Sequence, residues 1–266
     1  MKIFIYILIL IVFSLSIILS CAKKEETANP ETSSSTSSSD EDDETSSSWC
    51  RQESCSATPS GSISGVDNTT ISGTLSIFHS LAHSGISGYD NTTDCVDNTT
   101  VISALSGSLP TGTKSFIMNS AVTSSSTLAD RHFFYSDTSC STEIAKYTMV
   151  YDLTIGEKVT GLSTSVSGNS RPSTATKVYN SLTCSNLKGS TDVGASFLKT
   201  KFDGFIKEDL TVGETYECDV SGTYGYHLWN YGTVSSGLTL LYAESDYSSY
   251  PADWSTNTSI FALIPE

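Results

Sequence analysis

Between Tyr147 and Ile155 apolar residues recur at every second position: Tyr147, Met149, Tyr151, Leu153 and Ile155, with Thr148, Asp152 and Thr154 among the residues between them. Successive side chains of a strand point to opposite faces, so this period builds a half-buried β-strand. A helix would repeat its apolar positions at three and four instead. Shorter stretches of the same kind are Thr74 to Phe78, Ser115 to Thr123, Arg131 to Ser136, Thr174 to Leu182, Ala195 to Thr200, Thr215 to Val220, Tyr224 to Tyr231, Leu238 to Ala243 and Ser259 to Ile264. Gly, Ser, Asn and Asp separate them. Gly156-Glu157 reads as a hairpin turn, with Lys158 to Thr164 as the returning strand. In Asp97 to Leu105 an Asp or Asn precedes Val101, Ile102 and Leu105, which predicts one short capped helix. Ser56 to Pro110 otherwise shows no clear period. Ser, Thr, Gly and Tyr are abundant while Leu, Ala, Glu and Lys are sparse, the opposite of a helical bundle. The expected fold class is mostly β: an antiparallel β-barrel or a β-sandwich.

The first residues address the chain rather than fold it. Lys2 is followed by an apolar run from Ile3 to Leu19 that ends in Ile18-Leu19-Ser20-Cys21. This pattern reads as a signal peptide over residues 1–20. Its last four residues resemble the bacterial lipobox, with a branched aliphatic residue three before the cysteine and a small residue just before it. The resemblance implies cleavage after Ser20 and lipidation of Cys21. Ala22 follows the cysteine where retention in the inner membrane favours aspartate, which implies the outer membrane of a bacterial envelope. An uncleaved anchor is the alternative, since at ~1.5 Å per residue the run nearly spans a bilayer core. Residues 21–48 then carry Glu25, Glu26, Glu31 and Asp40 to Glu44 among serines and threonines. So little apolar surface with so much like charge cannot offset the entropy of ordering, so a disordered tether is expected there. The β-rich domain is assigned to residues 49–266.

Seven cysteines are an odd number. Lipidation of Cys21 leaves six, Cys50, Cys55, Cys95, Cys140, Cys184 and Cys218, enough for three disulfides in an oxidising compartment. No pair has the CxxC spacing of a zinc site. Proximity along the chain pairs Cys184 with Cys218 or Cys140, and Cys50 or Cys55 with Cys95.

Phe133-Phe134-Tyr135-Ser136-Asp137-Thr138-Ser139-Cys140, followed later by Tyr226 to Tyr231, Leu238 to Tyr242, Tyr250-Pro251 and Ser259 to Leu263, resembles uncharacterised bacterial lipoproteins with a lipocalin-like antiparallel barrel. In that group a Tyr-x-Asp-x-x-Cys motif ends a mid-chain strand and a Tyr-Pro turn precedes the closing strand. The resemblance covers the last half of the chain. Trp49 and Cys50 are the counterparts of the tryptophan and cysteine that open such a barrel. It implies a barrel and carries no activity.

Charge and motifs narrow the function. Fourteen Lys and Arg against 29 Asp and Glu give a net charge of -15, which excludes a phosphate-binding surface for nucleic acid. There are four histidines, His79, His83, His132 and His227. His79 and His83 have the spacing of two ligands on a helix but lack the glutamate of a metalloprotease. His132 and His227 lie in strand patterns, as partly buried aromatics do. No G-x-S-x-G elbow is present. Asp-Asn-Thr-Thr occurs at Asp67, Asp90 and Asp97; Asp90, Asp94 and Asp97 offer oxygen ligands for calcium, but the sequence suits Asx turns and helix caps better. The expected function is therefore non-enzymatic: an envelope lipoprotein, held to the membrane by the lipid on Cys21, whose β domain is structural or binds a small apolar or sugar ligand. Tyr151, Tyr226 and Trp229 are the candidate ligand residues, and no metal or cofactor is expected. A hydrolase whose groups converge only in space is the alternative.

Overall fold

A computed structural model describes residues 50, 51, 55, 57–76, 95–203, 206, 209–218, 224–233 and 239–264. The signal peptide, Cys21, the tether, His79, His83, Asp90 and Asp94 lie outside the described residues. Eight antiparallel strands close into a barrel: β4 (Thr74–Ser76), β5 (Ser115–Val122), β6 (Thr127–Tyr135), β7 (Glu143–Thr160), β10 (Thr174–Gly189), β12 (Tyr224–Thr233), β13 (Thr239–Asp246) and β14 (Ser259–Leu263). Each pairs with the next in that order, and β14 returns to β4. The barrel, rather than a sandwich, is what the alternation builds. Closure also removes the free edges at which another chain could pair.

The long strand β10 organises the wall. Along most of its length it pairs with β7, while its first half also pairs with β12. Its second half pairs instead with β11 (Thr215–Cys218), which in turn pairs with β1 (Cys50–Arg51). Gly156-Glu157 is not a turn, for β7 runs straight through it. Ile155 pairs with Val178 and Lys158 with Thr176, so two residues oppose one, and the pair forms a β-bulge. A Cβ on Gly156 would sit 3.2 Å from the Lys177 carbonyl oxygen, a close approach that glycine avoids. The chain turns beyond Thr160, through the small hairpin β8 (Ser165–Val166) and β9 (Asn169–Ser170).

Both ends of the barrel are covered. At one end sits the hairpin β2 (Ser62–Val66) and β3 (Thr69–Ser72), whose Ile63, Val66 and Ile71 are fully buried. Its two-residue turn is Asp67-Asn68, both with positive φ (50° and 63°), the primed geometry that matches strand twist. The Asp67 carboxylate fastens the hairpin to the wall, accepting from Lys158 Nζ (2.5 Å), Asn230 Nδ2 (2.7 Å) and Thr174 Oγ1 (3.1 Å). At the other end lie α1 (Thr99–Ala104) and α2 (Asp192–Lys201). Asn98 caps α1 by accepting from the Thr100 and Val101 N–H groups, as the sequence predicts. The repeated Asp-Asn-Thr-Thr thus makes a hairpin turn at Asp67 and a helix cap at Asn98.

The helix α2 replaces the strand expected over Ala195 to Thr200. Thr191 caps it by accepting from the Gly194 N–H (3.1 Å), with Asp192 in the first turn and Lys199 and Lys201 in the last, the charges that a helix dipole favours. Ala195, Leu198 and Phe202 lie on one helical face and close the barrel end. Among the described residues two disulfides pin loops to the wall. Cys95–Cys140 ties the turn after β6 to the segment before α1, and Cys55–Cys184 ties the N-terminal segment to β10. Neither is a pairing that chain proximity suggests. Antiparallel closure brings Cys55 beside a strand 129 residues away.

Candidate functional site

Strand register decides which side chains face the lumen, because residues directly opposite across an antiparallel pair share a face. From Phe116, Met118, Ser120 and Val122 on β5, the inner face passes to Phe134, His132, Asp130 and Leu128 on β6. On β7 it continues to Tyr147, Met149 and Tyr151, and on β10 to Leu187, Ser185 and Leu182. Asn180, His227, Ser245, Trp229 and Ala243 extend it around the remaining wall. Phe116, Phe134 and Tyr147 are at most 1% exposed. Each such ring contributes about 1.5–3 kcal/mol relative to leaving it in water.

Polar groups interrupt this apolar lining. Ser120, Asp130, Met149 and Ser185 form one row across four strands. Ser120 Oγ donates to Asp130 Oδ1 at 2.5 Å. Burial pushes the Asp130 carboxyl up to about 6, although the Ser120 bond lowers it. Ser185 is fully buried, and its Oγ has no hydrogen-bond partner among the described residues. The His132 ring stacks on Tyr147 with centroids 4.3 Å apart, and its buried Nδ1 also lacks a partner. Burial, and then the Lys201 charge, lower its pKa to about 3, so it is neutral at neutral pH. Farther round, His227 Nδ1 lies 2.9 Å from Ser245 Oγ, while its buried Nε2 has no partner among the described residues. Burial lowers this imidazole to about 4. A Cβ on Gly225 would meet that Nε2 at 2.8 Å and Asn180 Oδ1 at 3.0 Å, so glycine leaves room there for both groups. Asp130, His132, Asn180 and His227 are only half-buried although they face inward. The lumen therefore keeps accessible space beside its polar groups.

Of the three aromatic residues expected to line a cavity, Tyr151 and Trp229 face inward and are buried. Tyr226 does not join them. It lies three positions from Trp229 on β12, so the alternation turns it outward, into a cluster with Tyr179 (5.3 Å), Tyr224 (6.0 Å) and Tyr250 (5.0 Å). Asp130, Ser120 and Ser185 escaped the sequence reading. The signal for Asp130 lay in the alternation Leu128, Asp130, His132, Phe134, a polar pair on an apolar face.

The remaining candidates are structural. The Asp137 carboxylate of the Tyr-x-Asp-x-x-Cys motif accepts from the N–H groups of Ser139 (2.8 Å), Ser141 (3.1 Å) and Thr142 (2.5 Å), and also from the Ser139 and Ser141 hydroxyls. Bonds from Thr142 first and then Ser139 and Ser141 hold it well below the usual carboxylate range. Among the described residues Cys55, Cys184 and Glu217 cluster with metal-ligand spacing. Its two sulfurs are joined to each other, however, and leave a single ligand. A groove of about 540 Å³ outside the barrel, between Leu109 and α2, has Asp192 as its one titratable group. No protein-family model matches the chain, and comparison with curated proteins finds no match.

Proposed function

We propose that the barrel is the ligand-binding domain of an envelope lipoprotein, anchored through the lipid on Cys21, and that the lumen holds a small, largely apolar ligand. The observation that carries this reading is the set of inward atoms without partners: His132 Nδ1, Ser185 Oγ and His227 Nε2. A buried polar group without a hydrogen bond costs about 1–3 kcal/mol. Three of them on the inner face of one barrel need partners that the described residues do not supply. Aromatic and aliphatic walls with a few aimed polar groups are the usual make-up of a small-molecule site. The lipobox resemblance and the cysteine parity support the anchor, and Ala22 after the cysteine favours the outer membrane.

The test is an apolar fluorescent probe titrated into the purified domain. Saturable binding of one equivalent is expected, lost in Ser185→Phe, whose ring fills the row, while circular dichroism stays that of a β protein. Binding that survives in a folded Ser185→Phe variant would place the probe elsewhere and refute the reading. The 2.9 Å contact between His227 and Ser245 favours one alternative, a hydrolase using that pair. It predicts turnover of p-nitrophenyl esters, abolished by Ser245→Ala.

A further inference from the structure

We infer that the ligand of this lumen carries a protonated amine, which Asp130 holds as its counter-ion among the aromatic rings of the inner wall. This rests on the reading of the lumen as a binding site and names the class of molecule that it selects. Among the described residues Asp130 is the one carboxylate that the register turns inward in the middle of the wall. Among the described residues no lysine or arginine forms an ion pair with it, and its described hydrogen-bond donor is the Ser120 hydroxyl. Lys158, at the rim, is engaged by Asp67. A carboxylate on an apolar inner wall with one neutral donor is poorly compensated, and a cation within hydrogen-bond reach removes the deficit.

The surroundings fit an ammonium better than other cations or an anion. An ammonium brings three N–H donors on a compact head. Ser185 Oγ lies in the same cross-strand row as Asp130, and His132 Nδ1 belongs to the next inward residue on β6. Neither has a partner among the described residues, and a neutral imidazole can accept at the nitrogen without a proton. Tyr147 and Tyr151 flank the row on β7, and ring faces attract cations by about 0.5–2 kcal/mol. An anionic ligand would instead face the Asp130 charge.

The charged and titratable groups around Asp130 set the orientation and the pH response. They are His132 on its own strand, Tyr147 and Tyr151 on β7, and Lys201, which reaches in from α2. Lys201 Nζ lies 5.4 Å from the Tyr147 ring centroid and 6.0 Å from that of Phe197. Burial lowers it to about 8, so it stays cationic at neutral pH and repels a second cation. The ligand's body therefore extends from Asp130 away from α2, toward Trp229 and Tyr231. His132 stays neutral across the working range, and both tyrosines are raised well above 10 by burial, so Asp130 is the group that titrates. With its free value near 6, amine affinity falls as pH drops from 7.5 to 5.

The experiment compares three probes of one shape by calorimetry: phenethylamine, phenethyl alcohol and 3-phenylpropionate. At pH 7.5 the amine is expected to bind at least about tenfold tighter than the alcohol, and the carboxylate more weakly than both. Asp130→Asn should abolish the amine's advantage over the alcohol. If that variant fails to fold, the wild-type pH profile decides: amine affinity falls toward pH 5 while alcohol affinity stays flat. Equal affinities, a preference for the carboxylate, an advantage that survives in Asp130→Asn, or a flat amine profile would each overturn the proposal. Should the apolar probe bind while the amine shows no preference, this inference fails and the lumen reading stands. If no probe of any kind binds, both fail.

Discussion

Gly194 sets two opposing effects against each other. It lies in the first turn of α2, where Ala would ordinarily stabilise a helix by ~1 kcal/mol relative to Gly. A Cβ at that position, however, would stand 2.0 Å from the Ile144 carbonyl oxygen and 2.9 Å from the Ile144 carbonyl carbon. Those are backbone atoms of β7 and cannot swing aside as a side chain would. The helix itself must retreat, lifting Ala195, Leu198 and Phe202 from the barrel end that they close. A clash with backbone at this distance falls at the upper end of the about 1–3 kcal/mol that overpacking costs, so Gly194→Ala should be destabilising by ~2 kcal/mol net. Urea denaturation followed by far-UV circular dichroism should show a lower midpoint with an unchanged slope. Gly107→Ala, where nothing lies within 4 Å of the new Cβ, is the control and should be near neutral. A Gly194→Ala variant as stable as wild type would refute the close docking of α2 on β7, and with it the sealed end of the lumen.

Other outcomes follow from the same geometry. The raised Asp130 carboxyl binds its proton more tightly folded than unfolded, so its contribution is complete below about pH 4 and is lost as pH rises through about 6. Relative to Asp130→Asn, the unliganded wild type should lose up to ~3 kcal/mol over that window in urea titrations at stepped pH. Asp137 has the opposite sign: its depressed carboxyl stabilises above pH ~4 and ceases to as pH falls below, so wild type and Asp137→Asn should converge in acid. Non-reducing peptide mapping should recover Cys55 with Cys184 and Cys95 with Cys140. It should also join Cys50 to Cys218, which the register sets directly opposite each other. Fatty-acid labelling in bacterial cells should be lost in Cys21→Ala.

Much of the barrel is legible in the alternation. Tyr147 to Ile155 shows both the strand and its inner face, and Asn98 ahead of Val101, Ile102 and Leu105 announces its helix. What escaped has physical causes. Gly156-Glu157 has turn composition, yet only the partner strand shows that the extra residue is absorbed as a bulge. Ala195 to Thr200 is too short to separate a period of two from one of 3.6; the helix is set by Thr191, by the terminal charges and by the close approach at Gly194. Cysteine pairing follows strand adjacency, which is non-local in a closed barrel, so distance along the chain misleads. Tyr226 and Trp229 stand three positions apart on one strand, and an odd spacing puts them on opposite faces of the wall. Asp130 was hidden because a polar residue on an apolar face becomes meaningful only once closure turns that face inward.

Native mass spectrometry of the protein purified from its own cells tests the ligand-binding lumen most directly. The account predicts a population heavier than the mature chain by one small molecule, released on denaturation and missing from Ser185→Phe. Wild-type protein that carries no added mass, and shows no thermal shift across a panel of apolar, sugar and amine compounds, would contradict it.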